Sequence, residues 1–168
     1  MKKFFKLMMT SLLLFSFLIP YTAFAEVGGT SAEWQDIELS EEEFNAILEN
    51  NPANDFAPYT SGLITLYRIA IAKSGTSDLV IAGQTNCSTG VVRSGFSIVT
   101  VQRRTNSSSS WSTYKTYKDI YSESRVCNLS KTITIDKGYQ YRVTCTHYAK
   151  KSFLSTEKIN NTSNIIAF

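Results

Sequence analysis

The stretch that most constrains the fold runs from Ile135 to His147 and reads IDKGYQYRVTCTH. Asp136, Lys137 and Gly138 carry turn chemistry. Beyond them, Tyr139, Tyr141, Val143, Cys145 and His147 share one face, because strand side chains alternate with a period of two. Gln140, Arg142, Thr144 and Thr146 take the other face and are polar. The alternation predicts a half-buried strand in an antiparallel sheet. Ile135, Gly138 and Tyr141 are also spaced as in a tyrosine corner, where a Tyr opening a late strand bonds the backbone of the preceding corner of a Greek-key sandwich. A plain hairpin with a packed tyrosine has the same spacing.

Six other segments of the basic half have strand character, rich in Val, Ile, Thr and Tyr and separated by turn signals. They span 63–72, 79–87, 96–104, 111–118, 125–135 and 158–168, with 139–147 as sixth in order. The 96–104 segment is apolar on both faces and so is expected at the centre of a sheet. The sequence predicts an all-β fold, an immunoglobulin/fibronectin-III-like antiparallel β-sandwich of about seven strands over residues 61–168.

What precedes this domain is of a different kind. Lys2, Lys3 and Lys6 open a basic start, 7–19 is apolar, Pro20 breaks the run and Ala23-Phe24-Ala25 is an A-x-A site. Residues 1–25 are read as a secretory signal peptide cleaved after Ala25. The apolar run is short for a membrane span, and no Cys follows the site to take a lipid. The expected location is secreted, with a membrane met only through the signal peptide before cleavage.

Residues 26–60 hold nine acids and no Lys or Arg, whereas 61–168 hold fourteen Lys and Arg against five acids, so the two parts carry −9 and +9. The leader is either a solvated acidic segment, or one that lies on the basic domain or guards a surface meant for an anionic partner. Ser40-Glu41-Glu42-Glu43 is a capping box followed by Phe44, Ile47 and Leu48 at helical spacing. It predicts a short helix over 41–50, then a linker from Asn51 to Ser61. A helix this short is marginal in isolation.

Gly83-Gln84-Thr85, Val101-Gln102-Arg103, Ser110-Trp111-Ser112, Gly138 to Val143 and Cys145-Thr146-His147 follow in order along residues 61–168. In this the chain resembles an uncharacterised family of small proteins exported by Gram-positive bacteria. The resemblance implies export and a β-sandwich, and nothing catalytic.

Cys87, Cys127 and Cys145 are the only cysteines. An oxidising space permits pairing, and an odd count leaves a thiol over. The expected strand order puts Cys87 and Cys145 across the core, the first choice for a disulfide. Cys87 with Cys127, and three reduced thiols, are the alternatives. His147, the only histidine, is read as a semi-buried structural side chain bonded to nearby backbone. A Cys3His zinc site lacks a C-x2-C knuckle, and a Cys145–His147 nucleophile pair lacks a third orienting group. No metal or cofactor is expected.

No hydrolase, metalloprotease, phosphate-loop or EF-hand motif occurs, and nothing singles out two carboxylates for glycoside hydrolysis. The candidate binding residues are Trp111, Tyr114 and Tyr117, whose rings could stack on sugars, with Arg103, Arg104, Lys115 and Lys118 as a basic patch on the same hairpin. Alternation puts Trp111 and Tyr117 on one face and Tyr114 on the other. The expected partner is a cell-wall polymer, a carbohydrate or another extracellular protein. Nucleic acid is not expected of an exported chain whose mature charge sums to zero. The alternative functions are a secreted effector or toxin-like protein with a removable acidic pro-segment, and a hydrolase.

Overall fold

The computed structural model describes residues 33–56 and 62–168. The signal-peptide expectation and the cleavage site after Ala25 lie outside the described residues, as do residues 57–61 of the expected linker. Among the described residues no helix is long and apolar enough to cross a membrane.

Two antiparallel sheets face one another. The first has the order β1 (Gln35–Asp36), β6 (Val126–Thr134), β3 (Asp78–Cys87), β2 (Ile64–Ser74). The second has β5 (Ser112–Ser122), β4 (Arg93–Arg104), β7 (Gln140–Ser152), β8 (Ser155–Thr162), with β9 (Ile166–Ala167) also on β7. The chain changes sheets between β3 and β4, between β5 and β6 and between β6 and β7. That is an immunoglobulin/fibronectin-III-like sandwich. Each of the seven expected segments falls on a strand. The last divides into β8 and β9 around Ser163 and Asn164, and β1 comes from the acidic leader.

The core lies between the sheets. Ile69, Ile71, Leu79, Ile81, Leu129 and Ile133 enter it from the first sheet, and Phe96, Val99, Val101, Tyr141 and Val143 from the second. β7 buries Tyr141, Val143, Cys145, His147 and Ala149 in strict alternation. β4 lies between β5 and β7, as its apolar run suggested, but it is not buried on both faces. A bulge between Phe96 and Ile98 puts Phe96 and Val99 inward and leaves Ile98 half-exposed. Gly83 is required by close approach: a Cβ there would lie 2.8 Å from Phe96 Cζ and 2.9 Å from Ile69 Cδ1.

The corner before β7 forms as its spacing suggested. Gly138 has φ +83°, a left-handed turn conformation suited to glycine. The Tyr141 hydroxyl donates to the Asp136 carbonyl at 2.8 Å. The rings of Tyr114, Tyr139 and Phe168 surround the fully buried Tyr141 edge-on.

The described part of the acidic leader, residues 33–56, belongs to the same compact unit as the sandwich. The capping box closes as written: the Glu43 N–H donates to Ser40 Oγ, and the Ser40 N–H donates to Glu43 Oε2 at 2.9 Å. Helix α1 (Glu41–Glu49) seats Phe44 and Leu48 on Ala70 and Ala82, the small outward residues of β2 and β3. Gln35–Asp36 pairs with Lys131 and Thr132 as a short edge strand, and Asp36 makes an ion pair with Lys131. Trp34 crosses to the other sheet, 3.7 Å from Tyr117 between ring centroids.

The linker expected from Asn51 begins instead with a docked turn, Pro52–Phe56, in which Asn54 is buried, as is Asn51 just before it. Asn54 Oδ1 accepts from the Ile69 N–H, and Asn51 Nδ2 donates to the Ile69 carbonyl at 2.7 Å. Asn164 does the same for Ile71, accepting at 2.9 Å and donating at 3.0 Å. Side-chain amides therefore stand in for the missing neighbour strand along the free edge of β2, where an open ladder would otherwise invite pairing with another chain.

Candidate ligand-binding surface

The hairpin of β4 and β5 holds the candidate binding residues, but not in the arrangement alternation alone suggests. Val101 pairs with Lys115 and Gln102 with Thr113, so Tyr114 is an extra, bulged residue. The bulge moves Tyr117 to the face of Tyr114, where alternation would set it with Trp111. Tyr114 and Tyr117 both pack against the core, and Trp111, just outside β5, lies apart from them.

Tyr114 sets its ring edge on Tyr141, and its hydroxyl reaches the Thr134 carbonyl at 3.4 Å. Tyr117 lies under Trp34, and burial pushes its phenol up to about 12. Arg103 is engaged as well, ion-paired with Asp136 and lying over Tyr114 and Tyr139 at 4.8 and 4.5 Å. Lys115 is half-buried on β5. These residues brace the edge of the sandwich rather than form a platform.

Trp111 and Arg104 do form one, with a residue that sequence reading placed only on a polar face: Arg142. The Arg104 and Arg142 guanidinium carbons each lie 4.4 Å from the Trp111 ring centroid. Glutamines aim both side chains. Arg104 Nε donates to Gln140 Oε1, and Arg142 Nε donates to Gln102 Oε1, each at 2.8 Å. The pairs are the register partners Arg104↔Gln140 and Gln102↔Arg142 on β4 and β7, so the sheet fixes where the arginines point.

Contact with an indole face stabilises each cation by roughly 0.5–2 kcal/mol, depending on exposure. Among the described residues no carboxylate pairs with either arginine. Partial burial, and after it the charge of Arg104, holds the Arg142 guanidinium below its ordinary value. Two like charges are thus held together without a counter-charge, on a face that Gln102, Gln140 and Trp111 keep polar and flat. An anion there would relieve the repulsion and take bidentate hydrogen bonds. The signal in sequence was the Gln/Arg alternation of Gln102, Arg104, Gln140 and Arg142, which becomes legible only once β4 and β7 are neighbours.

The cysteines are free and buried, and none is at disulfide distance from another. The Cys87–Cys145 expectation fails on register. Thr85 of β3 faces His147 of β7, and Cys87 shares a cluster with Ala149, Ile64 and Val91. Cys87 therefore meets β7 four residues beyond Cys145, on the order of 13 Å along the strand. Cys127 pairs with Thr85 and not with Cys87 in the ladder. Among the described residues no group of three or more His, Cys, Asp and Glu is placed to hold a metal ion.

His147 is fully buried, not semi-buried, and its partners are side chains. Its Nδ1 lies 2.7 Å from Thr85 Oγ1, and its Nε2 lies 3.3 Å from Cys145 Sγ. The Thr85 hydroxyl donates to the Gly95 carbonyl, so it accepts from Nδ1–H, and the bare Nε2 accepts from the thiol. Residues two apart on a strand do aim at one another here. Burial pushes His147 down to about 3 and the Cys145 thiol far up, so at neutral pH both are uncharged. A nucleophile pair needs a thiolate. This one is a neutral brace across the core.

No family model, curated protein or solved structure matches the chain.

Proposed function

We propose that the protein is an exported, non-enzymatic binding module that takes an anionic polymer at the Arg104–Trp111–Arg142 cluster. The observation carrying this reading is the pair of guanidinium groups fixed against one indole with no carboxylate partner among the described residues. The proposed ligand chemistry is phosphate, carboxylate or sulfate groups repeated along a chain, as in cell-wall polyanions. The resemblance to an exported Gram-positive family accords with such a ligand and brings no activity of its own. The toxin-like alternative is less favoured, because its removable segment contains Trp34, Phe44, Leu48, Asn51 and Asn54, all seated on the sandwich.

The test is retention on purified bacterial cell walls and on immobilised polyphosphate, against a neutral glycan matrix, across a salt gradient. The wild-type protein is expected to be held on both anionic matrices and released by salt. Arg104→Gln/Arg142→Gln is expected to elute earlier with an unchanged circular dichroism spectrum. Equal retention of wild type and double variant would reject the site, and equal retention on the neutral matrix would reject the ligand class.

A further inference from the structure

At the opposite end of the second sheet, the β7–β8 hairpin turns through Phe153 and Leu154, whose side chains are 89% and 90% exposed. Val92, 53% exposed, joins them at the base, where its N–H donates to the Lys150 carbonyl. Ser152 and Ser155 flank the tip, so along this hairpin the exposed apolar surface of the described residues is limited to the two-residue turn. Cations ring it. Lys150 stands opposite Arg93 in the ladder, and Lys151 lies across the β3–β4 loop near Gly90. The Cys87 N–H bonds the Arg125 carbonyl, which brings Arg125 to the same end. The acids there are engaged: Glu123 pairs with Arg93, and Glu157 accepts from the Ile64 N–H at 2.7 Å. Lys150 and Lys151 have no ion-pair partner among the described residues.

From this we infer a membrane-surface contact, in which Phe153 and Leu154 enter the interfacial region of an anionic lipid bilayer while Lys150 and Lys151 meet its headgroups. The shape favours lipid over protein. A stable protein interface covers about 800 Å² on each partner, far more than a two-residue turn offers. A bilayer interface accepts an isolated apolar point and rewards cations placed around it. Two anchoring side chains give weak, reversible attachment, with a partition gain on the order of a hundredfold over a polar tip. The tip and the Arg104–Trp111–Arg142 cluster lie at opposite ends of β7, so the protein could hold a polyanion and a lipid surface together.

The experiment is co-sedimentation of the protein from Glu26 onward, without the signal peptide, with vesicles of phosphatidylglycerol and phosphatidylcholine, and with phosphatidylcholine alone. Wild type is expected to sediment with the anionic vesicles and to be weakened by salt. Phe153→Ser/Leu154→Ser is expected to lower the partition at least tenfold and to keep its retention on polyphosphate. Lys150→Gln/Lys151→Gln is expected to lower it by a smaller factor, and Arg104→Gln/Arg142→Gln to leave it unchanged. A Phe153→Trp variant in a Trp34→Phe/Trp111→Phe background should show a blue-shifted emission on anionic vesicles. No wild-type sedimentation, equal sedimentation of the Ser/Ser variant, loss only in the arginine variant, or an unshifted Phe153→Trp emission would each overturn the inference.

Discussion

The buried chain Cys145–His147–Thr85–Gly95 makes a quantitative prediction about pH. His147 titrates near 6.5 when unfolded and is pushed down to about 3 by burial in the fold. Between those values the unfolded chain binds a proton that the folded chain refuses, so stability is fully present above about pH 6.5 and falls as pH drops toward 3. The slope is roughly 1 to 1.5 kcal/mol per pH unit once well inside the window. From pH 7 to pH 5 the loss should be about 2 kcal/mol, in a range where ordinary carboxylates have barely begun to titrate. Urea unfolding at pH 7, 6 and 5 measures it. His147→Gln is expected to be less stable at every pH but to lose most of that slope. Cys145→Ala should keep the slope, because burial and not the thiol sets the histidine's protonation. A wild-type free energy flat between pH 7 and 5, or an equal slope in His147→Gln, would show that the imidazole is charged or hydrated and that the brace is wrongly drawn.

Other consequences follow from the same packing. Native protein should leave Cys87, Cys127 and Cys145 unlabelled by a bulky thiol reagent, denatured protein should label all three, and a two-dalton loss in intact mass would reveal a disulfide instead. Asn164→Ala strands the Ile71 N–H and carbonyl on a half-buried edge and should cost about 1–3 kcal/mol in urea unfolding; no change would mean water replaces the amide without penalty. A chain starting at Ser61 loses the burial of Phe44 and Leu48, roughly 1.5–3 kcal/mol each, and should unfold at markedly lower urea. An unchanged midpoint would revive the removable pro-segment.

The sequence made the sandwich legible because its strands obey local rules. Tyr141 to His147 alternates cleanly, Gly138 marks its turn, and the spacing from Ile135 to Tyr141 names the corner. What stayed hidden depends on which residues meet across space. No local signal tells that Thr85, and not Cys87, lies opposite His147, so the disulfide was placed by strand order and missed by register. The bulge at Tyr114 moved Tyr117 from the face of Trp111 to that of Tyr114, because one added residue reverses every later side chain. The docking of the leader had a visible trace: Ala70 and Ala82 continue an apolar pattern onto the outer face of β2 and β3, and such a face needs a cover. The Arg104–Trp111–Arg142 cluster joins two strands far apart in sequence, and Arg142 looked like any polar-face residue until β4 and β7 were adjacent.

The central functional claim is that Arg104, Arg142 and Trp111 act together on an anion. Side-chain NMR during titration with soluble polyphosphate tests it directly. The Nε–H signals of both arginines and the Trp111 indole N–H should shift together and saturate at one midpoint, and that midpoint should rise with salt. Shifts confined to other surfaces, or no shift at low salt, would contradict it.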